Sequence, residues 1–172
     1  AKALLSKRGK HLVEALGFGT KPGPNGTMLL SIDGHPPRAV AVLLDDSENF
    51  DAKTQRFQLS PVAFGLAVAS KQEVPWLVVL RKDQIRLYPG RDGVGVGSKG
   101  QAETFFEVDL STIDSEYAAL LPLIFSAGAL VAEGTADELL RDSARYATEL
   151  GKRLRERIYD EIVPPVAVEV AQ

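Results

Sequence analysis

Three aspartates and one lysine in the first third of the chain are the residues best suited to metal-dependent chemistry. Asp33 follows one apolar stretch, and Asp45 and Asp46 follow the next. Carboxylate oxygens that meet at a sheet edge can bind Mg²⁺, which promotes phosphodiester hydrolysis. A metal nuclease of this layout also needs a lysine beside the second carboxylate, and the nearest one is Lys53. Our candidate metal ligands and catalytic carboxylates are therefore Asp33, Asp45 and Asp46, and the candidate catalytic lysine is Lys53. The alternative is that these acids are solvated loop residues.

A glycine-rich segment, Gly95-Val-Gly97-Ser-Lys99-Gly100, matches the dinucleotide-binding fingerprint letter for letter. That fingerprint binds a pyrophosphate only where a strand precedes it and a helix N-terminus follows. Here the sequence predicts that a strand follows, so we interpret the segment as a connection between strands. Arg91 and Lys99 in this connection are candidate contacts for a DNA phosphate.

The last third of the chain contains a second group of cations on a predicted helix that begins at the capping box Thr135-Ala-Asp-Glu138. Four of them lie near one face of that helix: Arg141, Arg145, Lys152 and Arg155. A basic face of this kind suits a protein that follows a phosphate backbone. Acidic residues four positions before arginines, as in Asp137 with Arg141, favour instead a solvated face with internal ion pairs.

These residues must be positioned by a sheet whose centre is the stretch from Pro75 to Tyr88. Trp76 to Leu80 is apolar throughout and predicts a strand covered on both faces, and residues 85–88 alternate as the second strand of a hairpin should. Further strands are predicted at residues 27–32, 38–44 and 104–110, and helices at residues 2–16, 62–69, 115–130 and from 135 to the Pro164-Pro165 pair. The predicted fold class is α/β, with a mixed central sheet flanked by helices and a C-terminal helical connector.

The composition excludes several classes of protein. The 172-residue chain has no cysteine, so disulfides and thiolate metal sites are excluded, and its two histidines leave almost no imidazole for a zinc centre. The formal charge of -3 means that any contact with nucleic acid must come from local basic patches. The sequence shows no long apolar run and no signal-peptide pattern, so we expect a cytoplasmic protein with no membrane partner.

Several blocks of the sequence, in order, resemble the N-terminal region of type IIG (often filed as type IIS) restriction-modification enzymes and related phage-defence adenine methyltransferases. The blocks cover about two thirds of the chain and start at Ser60-Pro61, Pro75-Trp76, Gln84-Ile85, Thr104-Phe105, Leu121-Pro122 and Tyr146-Ala147. The last block, which runs into Val163-Pro-Pro, is the most specific of them.

The resemblance implies a nuclease-like α/β domain at residues 1–110, similar to the PD-(D/E)xK nucleases that cut DNA with Mg²⁺. It also implies a helical connector at residues 111–172 that leads to a methyltransferase domain of the same polypeptide. S-adenosylmethionine would bind only in that downstream domain, because its binding and catalytic motifs are absent from this sequence. The acidic-x-Lys element is also absent from the end of the second strand, so we expect a degenerate nuclease that cleaves DNA poorly or not at all.

The sequence therefore predicts the DNA-binding, endonuclease-like N-terminal domain of a restriction-modification enzyme, with double-stranded DNA as its partner. The alternative is a non-catalytic scaffold that holds DNA or a partner subunit for the methyltransferase. A third possibility is a small-molecule enzyme that uses the glycine-rich segment.

Overall fold

The structure, a computed structural model, describes residues 2–91, 94 and 97–157. In this part of the chain, six strands form one sheet: β1 (Gly19–Pro22), β2 (Met28–Ser31), β3 (Ala39–Leu44), β4 (Trp76–Arg81), β5 (Gln84–Pro89) and β6 (Phe106–Asp109). The helices of the same part are α1 (Gly9–Ala15), α2 (Pro61–Lys71), α3 (Gly97–Glu103), α4 (Leu120–Phe125) and α5 (Thr135–Arg157). Short 3-10 turns lie at Lys2–Leu4, Pro24–Gly26 and Tyr117–Ala119.

The order of the strands across the sheet is their order along the chain, from β1 to β6. Neighbouring strands are antiparallel except for β3 and β4, which are parallel and are connected through α2. A parallel pair needs a long crossover, and α2 provides it. The predicted α/β class, with a mixed sheet flanked by helices, is therefore confirmed.

The two central strands form the most deeply buried part of the sheet. All residues from Ala39 to Val42 in β3 are inaccessible to solvent, and Trp76 at the start of β4 is 1% exposed. Strands covered on both faces have no wet side, so their sequences lose the apolar and polar alternation. The prediction that Trp76 to Leu80 forms a covered central strand is confirmed.

Helix α2 covers one face of the sheet. Its N-terminus is capped by Ser60, whose Oγ accepts a hydrogen bond from the Ala63 N–H at 3.1 Å, and Pro61 occupies the first position, where no N–H is needed. Gly65 lets the helix approach closely, since a Cβ at that position would lie 2.5 Å from Leu77 Cδ1. The core on this face includes Val40, Val42, Leu66, Leu77 and Val79.

The opposite face of the sheet is covered by α1 and by α4 with the segment that follows it. An added Cβ on Gly9, the first residue of α1, would lie 3.9 Å from Leu43 Cδ1. Leu12 of α1 and Phe125 of α4 are almost completely buried. The Ala127 N–H donates to the Leu16 carbonyl at 2.9 Å, so the segment after α4 is joined to the end of α1.

Four local predictions differ from the structure. In the predicted helix over residues 115–130, only the 3-10 turn at Tyr117–Ala119 and α4 are helical. The predicted helix over residues 2–16 is divided into a 3-10 turn and α1 at Gly9, whose φ of +53° is accessible mainly to glycine. The residues around Pro22 predict a turn, but the structure has β1 there, an edge strand in which proline is tolerated. Helix α3 begins inside the glycine-rich segment, at Gly97, and precedes β6, although we expected a strand to follow the segment directly.

The chain divides into two units after Ala136. We expected the boundary at residue 110, but the structure places residues 111–136 in the same unit as the sheet. Phe125 and Leu130 are buried, and Arg38 Nε donates to the Leu130 carbonyl at 3.1 Å. Most of α5 belongs to the second unit, and the predicted end of this helix at Pro164-Pro165 lies outside the described residues. None of the described helices is long and apolar enough to cross a lipid bilayer.

Candidate functional site

The three predicted metal ligands do not meet. Asp33 follows the end of β2, and Asp45 and Asp46 follow the end of β3. Because β2 and β3 are antiparallel, with Leu30 opposite Ala39, Asp33 lies beyond the start of β3. The six residues of β3 separate the two acidic positions by roughly 17 Å along the strand. A metal ion shared by Asp33 with Asp45 or Asp46 is therefore not possible in this fold.

Asp45 and Asp46 lie at the edge where the parallel strands β3 and β4 both end. Asp46 forms an ion pair with Lys82 in the β4–β5 turn, with 3.4 Å between Oδ2 and Nζ. The Asp45 N–H donates to Glu48 Oε2 at 3.0 Å. Glu48 in turn pairs with Arg56 at 3.5 Å. Asp46 and Glu48 are thus each paired with a cation, and the Asp45 side chain is exposed, as loop acids commonly are.

Lys53 lies in the loop between β3 and α2, and its side chain is exposed. The loop is anchored on one side of this lysine by Arg56, whose Nη1 donates to the Leu43 carbonyl at 3.0 Å and whose Nη2 donates to the Gly26 carbonyl at 3.2 Å. On the other side, Asp51 is paired with Arg86. No group of three or more His, Asp or Glu residues that could hold a metal ion occurs within residues 2–91, 94 and 97–157.

The most elaborate polar cluster of the sheet surrounds Arg86, which the sequence pattern did not single out. Its Nε donates to Glu107 on the neighbouring strand β6, and its Nη1 lies 3.3 Å from Asp51 Oδ2 and 3.1 Å from the Tyr88 hydroxyl. The guanidinium carbon lies 3.9 Å from the centre of the Phe50 ring and 4.6 Å from that of Phe105. We refer to these residues as the Arg86 cluster.

Burial and pairing determine the protonation of the cluster. Burial raises the pKa of Tyr88 above the ordinary tyrosine value, and the hydrogen bond from Arg86 offsets part of that rise. Burial alone lowers the pKa of Arg86, but its bonds to Tyr88 and Glu107 outweigh this effect and raise the pKa. Tyr88 is therefore a neutral phenol and Arg86 a permanent cation at neutral pH, so neither is suited to act as a general base.

The Arg86 cluster holds together segments that are distant in the sequence. The guanidinium joins the loop after β3, through Phe50 and Asp51, to strands β5 and β6. Sequence reasoning missed it because the loop residues precede Arg86 by 35 positions. The one signal available was Arg86 followed two positions later by Tyr88, which places both side chains on the same face of a strand.

The candidate DNA contacts fall into two places. Arg91 follows β5; its guanidinium carbon lies 5.4 Å from the centre of the Trp76 ring, and its carbonyl accepts a bond from Gln101 Nε2. Lys99 lies in α3, and its side chain is outside the described part of the chain. The other four cations are exposed on α5: Arg141, Arg145, Lys152 and Arg155.

Helix geometry places these four cations together. With 3.6 residues per turn, their positions around α5 fall within an arc of about 80°. Two of them have acidic neighbours on the same helix: Arg145 lies 3.4 Å from Asp142, and Lys152 lies 3.9 Å from Glu156. Both pairs are largely exposed, and such pairs contribute little to stability. The cations can therefore turn toward a phosphate at small cost.

Fold and site together define a mixed α/β protein with a six-stranded sheet and a charged C-terminal helix. No family model matches the chain. The comparison with curated proteins and the comparison with solved structures find no match either.

Proposed function

We propose that this chain is a DNA-contacting, non-cleaving domain of a restriction-modification enzyme, which holds double-stranded DNA for a methyltransferase domain of the same polypeptide. The observation that supports it best is the basic face of α5. The link to restriction-modification enzymes rests on the sequence resemblance. S-adenosylmethionine would bind in the methyltransferase domain.

The basic face has the dimensions of a backbone contact. Between residues 141 and 155 the helix rises by about 21 Å, and the whole of α5 is roughly 34 Å long. A helical turn of duplex DNA is about as long as this helix. Cations spaced along such a length contact phosphates without reading base sequence, so the expected binding is independent of sequence and sensitive to salt.

The positions of the acids favour a binding role over a cleaving one. Hydrolysis with Mg²⁺ requires carboxylates close enough to share the ion, together with a group that activates water. Asp33 lies at the opposite end of β3 from Asp45 and Asp46, and Lys53 is exposed on its loop. The mixed sheet flanked by helices is compatible with a PD-(D/E)xK-like ancestry, which stays part of the proposal.

Binding to a fluorescent duplex over a series of salt concentrations tests the proposal. We expect weak binding in which the logarithm of the association constant falls linearly with the logarithm of the salt concentration. A variant with Arg141→Gln, Arg145→Gln, Lys152→Gln and Arg155→Gln should reduce that slope by about 0.9 for each phosphate that the helix no longer neutralises.

A matched control separates this local effect from that of net charge. The substitutions Lys2→Gln, Lys7→Gln, Lys21→Gln and Lys71→Gln remove the same number of charges outside α5. This control should keep most of the salt slope. If the two variants lose binding equally, the α5 face is not the contact; if the chain does not bind DNA even at low ionic strength, the alternative of a scaffold for a partner subunit is favoured.

A further inference from the structure

A stripe of large apolar side chains is exposed on α5, on the side opposite its basic face. Leu139 is 37% exposed, Tyr146 68%, Leu150 54% and Leu154 58%. Their positions around the helix fall within an arc of about 80°, and Ser143 lies inside the same arc. Amphipathic helices bury such a stripe against another element. We call these four residues the α5 stripe.

The charges beside the α5 stripe are complementary to those of a second, antiparallel copy of the helix. Asp142 and Arg153 lie on the same edge of the stripe, one in each half of α5. In an antiparallel pair in which Tyr146 faces Leu150 of the other copy, Asp142 faces Arg153 of the other copy within one residue of register. A parallel pair would instead place the edge with Asp142 and Arg153 against the other edge of the partner's stripe, which carries the uncharged residues Ala147 and Gly151. Opposite charges at such flanking positions set the orientation of paired helices.

We propose that α5 pairs with α5 of a second copy of this chain, in the antiparallel orientation, through the α5 stripe. The Asp142 and Arg153 pairs then close one edge of the contact at both of its ends. The basic face lies on the other side of each helix and stays accessible. This inference does not depend on DNA binding, because it uses different residues.

Sedimentation of the 172-residue chain over a series of concentrations is the first test. We expect a reversible equilibrium between monomer and dimer. The variant Leu150→Ala, Leu154→Ala should weaken the dimer by at least about tenfold, because it removes buried apolar area from both helices. A chain that stays monomeric at every concentration overturns the proposal.

A matched control uses apolar side chains of similar exposure elsewhere. Leu120 and Leu123 of α4 are 53% and 52% exposed, so Leu120→Ala, Leu123→Ala removes the same kind of surface outside the stripe. The control should dimerise like the unchanged chain, and circular dichroism should show equal helix content in both variants. Equal weakening by the control would place the contact elsewhere and overturn the proposal.

Charge reversal tests the orientation. In the antiparallel pair, Asp142→Arg alone or Arg153→Asp alone places like charges opposite each other, and each should weaken the dimer. The double reversal restores opposite charges and should recover the affinity. In a parallel pair both residues face uncharged residues of the other copy, so the reversals should have little effect. Single reversals that leave the affinity unchanged, or a double variant no tighter than the two single variants, overturn the antiparallel arrangement.

Discussion

The side chains of Arg86 and Tyr88 lie on one face of β5, and Arg86 Nη1 donates to the Tyr88 hydroxyl over 3.1 Å. The same guanidinium pairs with Asp51 of the preceding loop and with Glu107 of β6. One side chain therefore joins three segments that are distant in the sequence. These bonds make Arg86 a central structural residue of the α2 face, and they explain why a charged residue is tolerated in a largely covered strand.

Replacing Arg86 should destabilise the protein more than replacing any exposed arginine. The substitution Arg86→Met keeps a long side chain but removes the bonds to Tyr88, Glu107 and Asp51 and the contacts with two aromatic rings. Both carboxylates keep some access to water, so we expect a loss of about 2–3 kcal/mol in the free energy of unfolding. Chemical denaturation measures this, with Arg155→Met as the control, which should change stability by less than about 0.5 kcal/mol. Equal effects of the two substitutions would contradict the structural role of Arg86.

The buried phenol of Tyr88 predicts a loss of stability at high pH. Burial raises its pKa in the folded protein, so the folded state holds the phenol proton more tightly than the unfolded chain does. The resulting stabilisation is fully present below the ordinary tyrosine pKa of about 10 and is lost as the pH rises from there through the raised pKa of the folded state. Unfolding measured from neutral to alkaline pH should therefore show a steeper decline for the unchanged chain than for Tyr88→Phe. Parallel curves for the two proteins would show that Tyr88 does not contribute.

The apolar runs of β3 and β4 could be predicted from the sequence because burial on both faces leaves a continuous signal that needs no distant partner. The Arg86 cluster could not, since it depends on a loop folding back against the sheet. The antiparallel orientation of β2 and β3 is an intermediate case, because it depends only on the length of their connection. Their connection, residues 32–38, is too short for the crossover that parallel strands need. The sequence therefore already contained the signal that Asp33 and Asp45 end up at opposite ends of the pair.

Gly65 predicts a second stability effect, which arises from packing. An added Cβ would lie 2.5 Å from Leu77 Cδ1 and 3.2 Å from Val42 Cγ2, inside the contact between α2 and the sheet. The crowding should outweigh the helix propensity gained, so we expect Gly65→Ala to cost about 1–2 kcal/mol in the free energy of unfolding.

Gly151 is the matched control for this substitution, because an added Cβ there meets nothing within 4 Å. Gly151→Ala should raise the helix content of α5, seen by circular dichroism, without loss of stability. A stable Gly65→Ala variant would show that α2 can move away from the sheet without cost.

The antiparallel arrangement of β2 and β3 predicts the outcome of a cleavage assay. Asp33 lies roughly 17 Å along the strand from Asp45 and Asp46, so it cannot share a metal ion with either of them. We expect the chain to leave supercoiled and linear duplex DNA intact with either Mg²⁺ or Mn²⁺. The substitutions Asp33→Ala and Asp45→Ala should then change neither this result nor the fold, because both side chains are exposed. Asp46→Ala breaks only the exposed pair with Lys82 and should alter stability by less than about 0.5 kcal/mol. Suppose instead that the chain cleaves DNA with a metal ion, and that Asp33→Ala and Asp45→Ala each abolish cleavage while the Arg86 cluster stays intact. The two residues would then have to act at one site, which would contradict the antiparallel pairing of β2 with β3.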